Sequence, residues 1–101
     1  MYRGIGDRAG EAEVLNDVGE THHATGHHDQ AQAHHAAALS LATQIGAHYE
    51  QARAHNGLGH AYRADNELDQ AHDHWRRALR LYTDLGVPEA DDVQAQLAGL
   101  A

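Results

Sequence analysis

Small and apolar residues recur along the chain at intervals of three and four positions, the spacing that places side chains on one face of an α-helix. This pattern appears twice in the first half of the chain and is then repeated. The positions that carry it in the first half are Leu15, Val18, Gly19, His22, Ala31, His35, Ala38, Leu39 and Ala42. The pattern predicts an all-α fold built from pairs of amphipathic helices.

Short segments that contain glycine or asparagine separate these predicted helices, because both residues can take the left-handed conformation that ends a helix. Residues 25–27 and 65–67 break each pair internally, while Gly46 and Gly86 separate one pair from the next. Pro88 suits the first turn of a final helix. We therefore predict five helices, spanning 8–25, 28–44, 48–65, 68–85 and 89–100.

The chain contains an internal repeat with a period of forty residues. Two consecutive forty-residue segments align without gaps, with fourteen of the forty positions identical, and a third copy supplies one helix only. We expect a single domain over 1–101, composed of a first repeat at 5–44, a second repeat at 45–84 and a capping helix at 85–101.

The pattern of large and small residues within each copy resembles the tetratricopeptide repeat. The second copy carries it at His55, Leu58, Gly59, Tyr62, Ala71, Trp75 and Ala78, and the first at Leu15, Val18, Gly19, His22, Ala31, His35 and Ala38. The first copy departs from the family at both aromatic positions, where it has histidines. The resemblance implies antiparallel helical hairpins in a right-handed α-solenoid fragment, with Trp75 buried opposite small residues.

The length of the repeat and the closing segment 85–93 resemble a longer variety of this family. In actinobacteria such repeats often form the C-terminal part of large multidomain transcriptional regulators. The resemblance implies that the chain is a fragment of such a regulator.

In this family, one face of the first helix of each repeat lines a concave groove. Residues that follow a starting residue by three, seven and ten positions lie on that same face of a helix. In this chain the stripe gives eight candidate partner-binding residues: Glu13, Asn16, Glu20, His23, Arg53, Asn56, His60 and Arg63. They predict a groove that runs from acidic to basic.

The two asparagines of this stripe can each donate and accept, so Asn16 and Asn56 are predicted to bind the backbone of a peptide. The groove has no lysine, which leaves Arg53 and Arg63 as the candidates for holding a terminal carboxylate. The alternative is that these residues are simply a solvated helix face.

Composition narrows the possible functions. The formal charge is −8 with histidines neutral, which argues against a nucleic-acid surface because phosphate binding needs a net basic patch. No cysteine is present, so disulfides and thiolate metal sites are excluded. Without an apolar run of membrane-spanning length or a charged leader, we expect a soluble cytoplasmic protein.

The eleven histidines are candidates for metal binding or for packing. His23 and His27 have the four-residue spacing that lets two imidazoles meet one metal ion on a helix. Gly26 interrupts the helix between them, however, and no third ligand is defined. His22 and His35 replace repeat aromatics, which favours packing in the core. We expect no metal, no cofactor and no catalytic residue, since no hydroxyl lies in a nucleophile or phosphate-loop motif.

These observations predict a scaffold that binds a protein or peptide of unknown identity and contacts neither nucleic acid nor membrane. The alternative is homo-oligomerisation, since the first helix leaves one face exposed. The last helix would add an apolar stripe of Val93, Leu97 and Leu100 to a homodimer. Metal binding by the histidines is a third possibility.

Overall fold

The computed structural model describes residues 5–100, with side chains from residue 7 onward. Its helices are α1 (Ile5–Ala24), α2 (His28–Ile45), α3 (His48–Ala64), α4 (Leu68–Leu85) and α5 (Glu89–Leu100). The predicted all-α class is confirmed. None of these helices combines the length and the hydropathy that crossing a membrane requires.

The predicted helix bounds agree with the observed ones to within one residue, except at the start of α1. This helix begins at Ile5, three residues earlier than predicted, and places Asp7 in its first turn, where a carboxylate stabilises the helix N-terminus. Residues 1–4 and 101 of the predicted domain lie outside the described residues.

Residues in the left-handed backbone conformation end the helices at the predicted breaks. Gly46 (φ 69°) and Gly86 (φ 70°) follow α2 and α4, and their amides donate to carbonyls of the preceding turn. Gly26 (φ 82°) and Asn66 (φ 61°) take the same conformation after α1 and α3. Glycine has no Cβ to clash there, and asparagine tolerates the conformation better than most residues.

The helices pack on each other in chain order as hairpins, and α1 also contacts α3. The buried residues between them are mostly small, which allows close approach of the helices. They include Ala12, Ala31, Ala38, Ala42, Ala52, Ala54, Ala61, Ala71 and Ala78.

Two rings fill the spaces that these small residues leave. Trp75 is 0% exposed, so its predicted burial is confirmed. A Cβ added at Gly59 would lie 2.5 Å from Trp75 Nε1, which explains the glycine. His35 is 1% exposed and lies between two glycines: a Cβ at Gly19 or Gly57 would lie 2.7 or 2.2 Å from His35 Nε2.

The expectation that His22 is also a core group is wrong. Its side chain is half-buried, and its ring contacts the rings of His27 and His34 at centroid distances of 5.9 and 5.0 Å. The small residues that would enclose a large ring are grouped around His35 instead.

The predicted apolar stripe on α5 packs against the protein interior. Val93 is 1% exposed and belongs to the core cluster that contains Trp75 and Tyr82. Leu97 and Leu100 are half-buried against the same cluster. This stripe therefore closes the end of the second hairpin.

Candidate partner-binding groove

A cleft of about 440 Å³ runs across the first helix of each hairpin, from α1 over α3 to the start of α5. Side chains of α1 and α3 form most of its lining, and α4 contributes one tyrosine. The lining residues are Glu13, Asp17, Glu20, Tyr49, Glu50, Arg53, Asn56, Tyr82 and Glu89. Among them are five carboxylates and one guanidinium, so the cleft is strongly acidic.

The guanidinium of Arg53 is fully engaged by carboxylates. Its nitrogens lie 2.7 Å from Asp17, 2.9 Å from Glu20 and 3.1 Å from Glu50. Burial alone would lower the pKa of Arg53, but the hydrogen bonds that it donates to Asp17 and Glu20 raise that pKa above its usual value. Arg53 therefore joins α1 to α3 and neutralises part of the acidic cluster.

This arrangement corrects two predictions about the charge of the groove. Arg53 does not form a basic end, and its guanidinium is not open to a terminal carboxylate, because three carboxylates already surround it. Arg63 is exposed in the last turn of α3 and does not line the cleft.

Asn16 does not face a partner, contrary to the prediction. It is 0% exposed, and its Nδ2 donates to both the backbone carbonyl of Glu50 (3.1 Å) and the Oε1 of Glu50 (2.9 Å). Its Oδ1 lies 2.8 Å from Nδ1 of His35. Because α3 packs directly over this position, the amide holds α1, α2 and α3 together.

The bond between Asn16 and His35 defines the tautomer of the imidazole. Nδ2 of Asn16 donates to Glu50, so the Oδ1 that faces His35 must accept. His35 therefore carries its proton on Nδ1 and a lone pair on Nε2. Burial is the main reason why the pKa of His35 is lowered to about 4, so the ring is neutral at physiological pH.

Asn56 makes the equivalent bond one repeat later and still reaches the cleft. Its Oδ1 accepts from Trp75 Nε1 at 3.0 Å. The side chain is half-buried and lines both the cleft and a smaller cavity next to it.

The smaller cavity has a volume of about 200 Å³ and shares Glu20 and Asn56 with the cleft. Its lining is completed by three histidines and one glycine: His23, His35, His60 and Gly57. The rings of His23 and His60 are 5.0 Å apart, and His60 also contacts the ring of Trp75 at 5.1 Å. Burial lowers the pKa of His60 to about 4 and also lowers that of His23.

Six of the eight predicted residues thus lie together. Glu13, Glu20, Arg53 and Asn56 line the cleft, and His23 and His60 line the adjoining cavity. Asn16 is buried, and Arg63 lines neither space.

The sequence interpretation missed five lining residues of the cleft: Asp17, Tyr49, Glu50, Tyr82 and Glu89. Tyr49 and Glu89 occupy equivalent repeat positions, and the Tyr49 hydroxyl donates to the Glu89 carboxylate. The Tyr49 ring also contacts the Tyr82 ring edge-on at 5.9 Å. The forty-residue period could have located Tyr49 and Glu89, and the spacing of three could have linked Glu50 to Arg53.

The histidine pair considered for metal binding is separated in the structure. His23 contacts His28 and His60, whereas His27 contacts His22. Within residues 5–100, no group of three or more histidine, aspartate or glutamate side chains has an arrangement that could hold a metal ion.

Paired helices that repeat with a fixed period and share one cleft define a helical-repeat protein. A family model described as tetratricopeptide repeat matches residues 4–84, most of the chain, so the protein belongs to the tetratricopeptide-repeat family. Such domains are generally protein–protein interaction modules and typically non-catalytic scaffolds. No curated protein and no solved structure matches the chain significantly.

Proposed function

We propose that the acidic cleft holds a cationic segment of a partner protein. The observation that carries this proposal is the excess of carboxylates: five line the cleft, and the one guanidinium among them is already paired. A concave site in which carboxylates outnumber cations raises the local concentration of a positively charged ligand and favours its orientation. Tyr49 and Tyr82 add aromatic surface to the same cleft, on which basic side chains can pack.

Selection of random peptides displayed on phage tests this function. Wild-type protein should enrich peptides that contain lysine or arginine, and their binding should weaken as salt concentration rises. A double variant, Glu13→Gln with Glu20→Gln, should lose these peptides. The matched control is Asp65→Asn with Asp84→Asn, which removes the same charge from exposed positions outside the cleft.

The proposal would be contradicted by peptides that bind both double variants equally, since their binding would not depend on the cleft. It would also be contradicted if the selection enriched no peptide. Acidic or uncharged peptides that bind through the cleft would keep it as a binding site but would remove the cationic partner.

We also propose that this module is part of a larger cytoplasmic transcriptional regulator. The support is the resemblance of the forty-residue repeat and of segment 85–93 to the C-terminal repeats of such regulators. Recovering the parent reading frame tests this directly. A frame that encodes no DNA-binding or nucleotide-binding segment would contradict it.

Homo-oligomerisation is the second candidate function. One observation favours it: the apolar side chain of Val14 on α1 is 56% exposed. Sedimentation over a wide range of concentrations tests it. Val14→Glu should shift a dimer toward monomer, while a single 11 kDa species at every concentration would exclude self-association as the main function.

A further inference from the structure

A second concave surface, with a volume of about 850 Å³, lies between α4 and α5. Among the described residues, it shares none of its lining with the acidic cleft or the smaller cavity. Two half-buried leucines, Leu79 of α4 and Leu97 of α5, form its apolar part and pack inward against the core cluster. The other lining residues are polar side chains of α4, and the whole surface is called the basic groove: His72, Asp73, Arg76, Arg77 and Arg80 complete it.

The basic groove concentrates positive charge in a protein that is acidic overall. Three of the seven arginines of the chain line it, although the formal charge of the whole chain is −8. Arg77 pairs with Asp73 at 3.2 Å. Among residues 7–100, whose side chains the structure describes, no carboxylate forms an ion pair with Arg76 or Arg80. These two guanidiniums are therefore available to a ligand.

The first repeat shows that this type of hairpin packs without the three arginines. The forty-residue period aligns them with Ala36, Ala37 and Ser40 of α2, which are equally exposed. Leu97 likewise aligns with Gly57. The second repeat thus adds both cations and an apolar side chain where the first repeat has neither, which favours a role in binding over a role in folding.

The spacing of the two unpaired arginines suits a ligand with more than one carboxylate. Arg76 and Arg80 are four residues apart on one helix, so their side chains leave the same face with about 5 to 6 Å between their Cβ atoms. Each guanidinium can bind a carboxylate through two parallel hydrogen bonds. Leu79 and Leu97 line the same groove and offer contact to an apolar side chain, which a peptide carries and a phosphate backbone does not.

We propose that the basic groove binds an acidic segment of a partner protein. Carboxylates of the segment pair with Arg76 and Arg80, and an apolar side chain of the segment packs on Leu79 and Leu97. The opposite charges of the groove and the segment select this occupant and favour its approach. The basic groove acts independently of the ligand proposed for the acidic cleft.

Selection of displayed random dodecapeptides tests the basic groove, with counter-selection against the double variant Arg76→Gln with Arg80→Gln. Peptides retained by the wild-type protein alone should contain aspartate or glutamate together with an apolar residue. In fluorescence anisotropy, a synthetic copy of such a peptide should bind less tightly as salt concentration rises. It should bind the double variant roughly tenfold more weakly than the wild type. Replacing the apolar residue of the peptide with serine should also weaken its binding several-fold.

Two control variants separate this site from other charges of the protein. Arg8→Gln with Arg63→Gln removes the same charge from exposed positions outside the basic groove and should leave the binding unchanged. Glu13→Gln with Glu20→Gln alters the acidic cleft and should also leave it unchanged. The failure of one site is therefore distinguishable from the failure of the other.

The proposal is overturned if the selection retains no acidic peptide, or if the retained peptides bind the Arg76→Gln, Arg80→Gln variant as tightly as the wild type. Displacement of the peptides by an equal concentration of a short oligodeoxythymidylate would also overturn it, since the groove would then recognise charge alone. Sedimentation tests a second copy of the chain as the occupant. Self-association of the wild type that the double variant abolishes would assign the groove to that copy and overturn the partner segment.

Discussion

His35 and Trp75 occupy equivalent positions forty residues apart, and each ring donates an N–H to the asparagine nineteen residues before it. The distances are 2.8 Å from His35 Nδ1 to Asn16 Oδ1 and 3.0 Å from Trp75 Nε1 to Asn56 Oδ1. The two repeats thus exchange indole for imidazole and retain the hydrogen bond. The asparagines orient the large ring of the second helix, which is a structural role that both copies share.

The two asparagines should differ in their contribution to stability. Asn16→Ala should cost about 2 to 3 kcal/mol, because it removes three hydrogen bonds from a buried site and leaves their partners unpaired. Asn56→Ala should cost only about 1 kcal/mol, since it removes a single hydrogen bond made by a half-buried side chain. Urea denaturation measures both values. Equal costs would contradict the role assigned to Asn16.

Gly57 should tolerate no side chain while His35 is present. Gly57→Ala places a Cβ 2.2 Å from His35 Nε2, so the ring or the helix must move, at a cost of about 1 to 3 kcal/mol. Gly10→Ala is the matched control, because Gly10 is also helical and has no atom within 4 Å of an added Cβ. The control should gain about 0.5 to 1 kcal/mol. Similar melting temperatures for the two variants would contradict the packing of His35.

Acid should destabilise the protein because burial holds several histidines neutral. The pKa values of His35, His55 and His60 are lowered to about 4 from the ordinary value of 6.5. Between these values the unfolded chain binds protons that the folded chain excludes. The stabilisation is therefore complete above pH 6.5 and is lost progressively as the pH falls toward 4.

Thermal melts between pH 7 and pH 5 measure this effect. His35→Phe should reduce the loss of stability at pH 5 by roughly 1 to 2 kcal/mol, because the pKa of His35 is about 4 in the fold and 6.5 in the unfolded chain. The control is His48→Gln, which replaces an exposed histidine and should leave the dependence of stability on pH unchanged. An unchanged pH dependence in His35→Phe would show that His35 is not a source of the acid sensitivity.

Removing Arg53 should destabilise the fold by leaving Asp17, Glu20 and Glu50 close together without a cation. Arg53→Gln should cost about 1 to 3 kcal/mol at low salt, and added salt should restore part of that loss by screening the repulsion. Arg80→Gln removes an exposed arginine and should change stability by less than about 0.5 kcal/mol. A loss in Arg53→Gln that does not respond to salt would contradict the electrostatic explanation.

Leu97→Glu should disrupt the packing of α5 against α4 rather than separate two chains. Leu97 packs against the core cluster of Trp75, Tyr82 and Val93, so a carboxylate there loses apolar contacts and is partly desolvated. The expected cost is about 2 to 4 kcal/mol. Circular dichroism combined with sedimentation distinguishes the two results. A stable, folded monomer produced from a dimer would restore the interface interpretation.

The helices and their breaks were predictable because local signals determine them. Spacings of three and four mark the buried faces, and Gly46 and Gly86 end helices through their own backbone freedom. The stripe that was predicted on the first helix of each repeat also located Glu13, Glu20 and Asn56 correctly at the cleft.

The remaining features depend on how separate helices approach each other, which one sequence does not determine. Asn16 and Glu13 lie on the same predicted stripe, yet α3 covers only Asn16. The pairing of Arg53 requires carboxylates from both α1 and α3. Likewise, the apolar stripe of α5 could face a partner or the core, and only its packing against α4 decides between them.

The small residue at position 57 limits how further repeats can be added to this chain. Gly57 and Leu97 are equivalent by the forty-residue period, but Gly57 admits the imidazole of His35, while Leu97 packs against the cluster that contains Trp75. Each junction between units is therefore fitted to its own ring. A longer array made by duplicating either unit would place a ring opposite the wrong neighbour, so these repeats can be exchanged or multiplied only by changing both positions together.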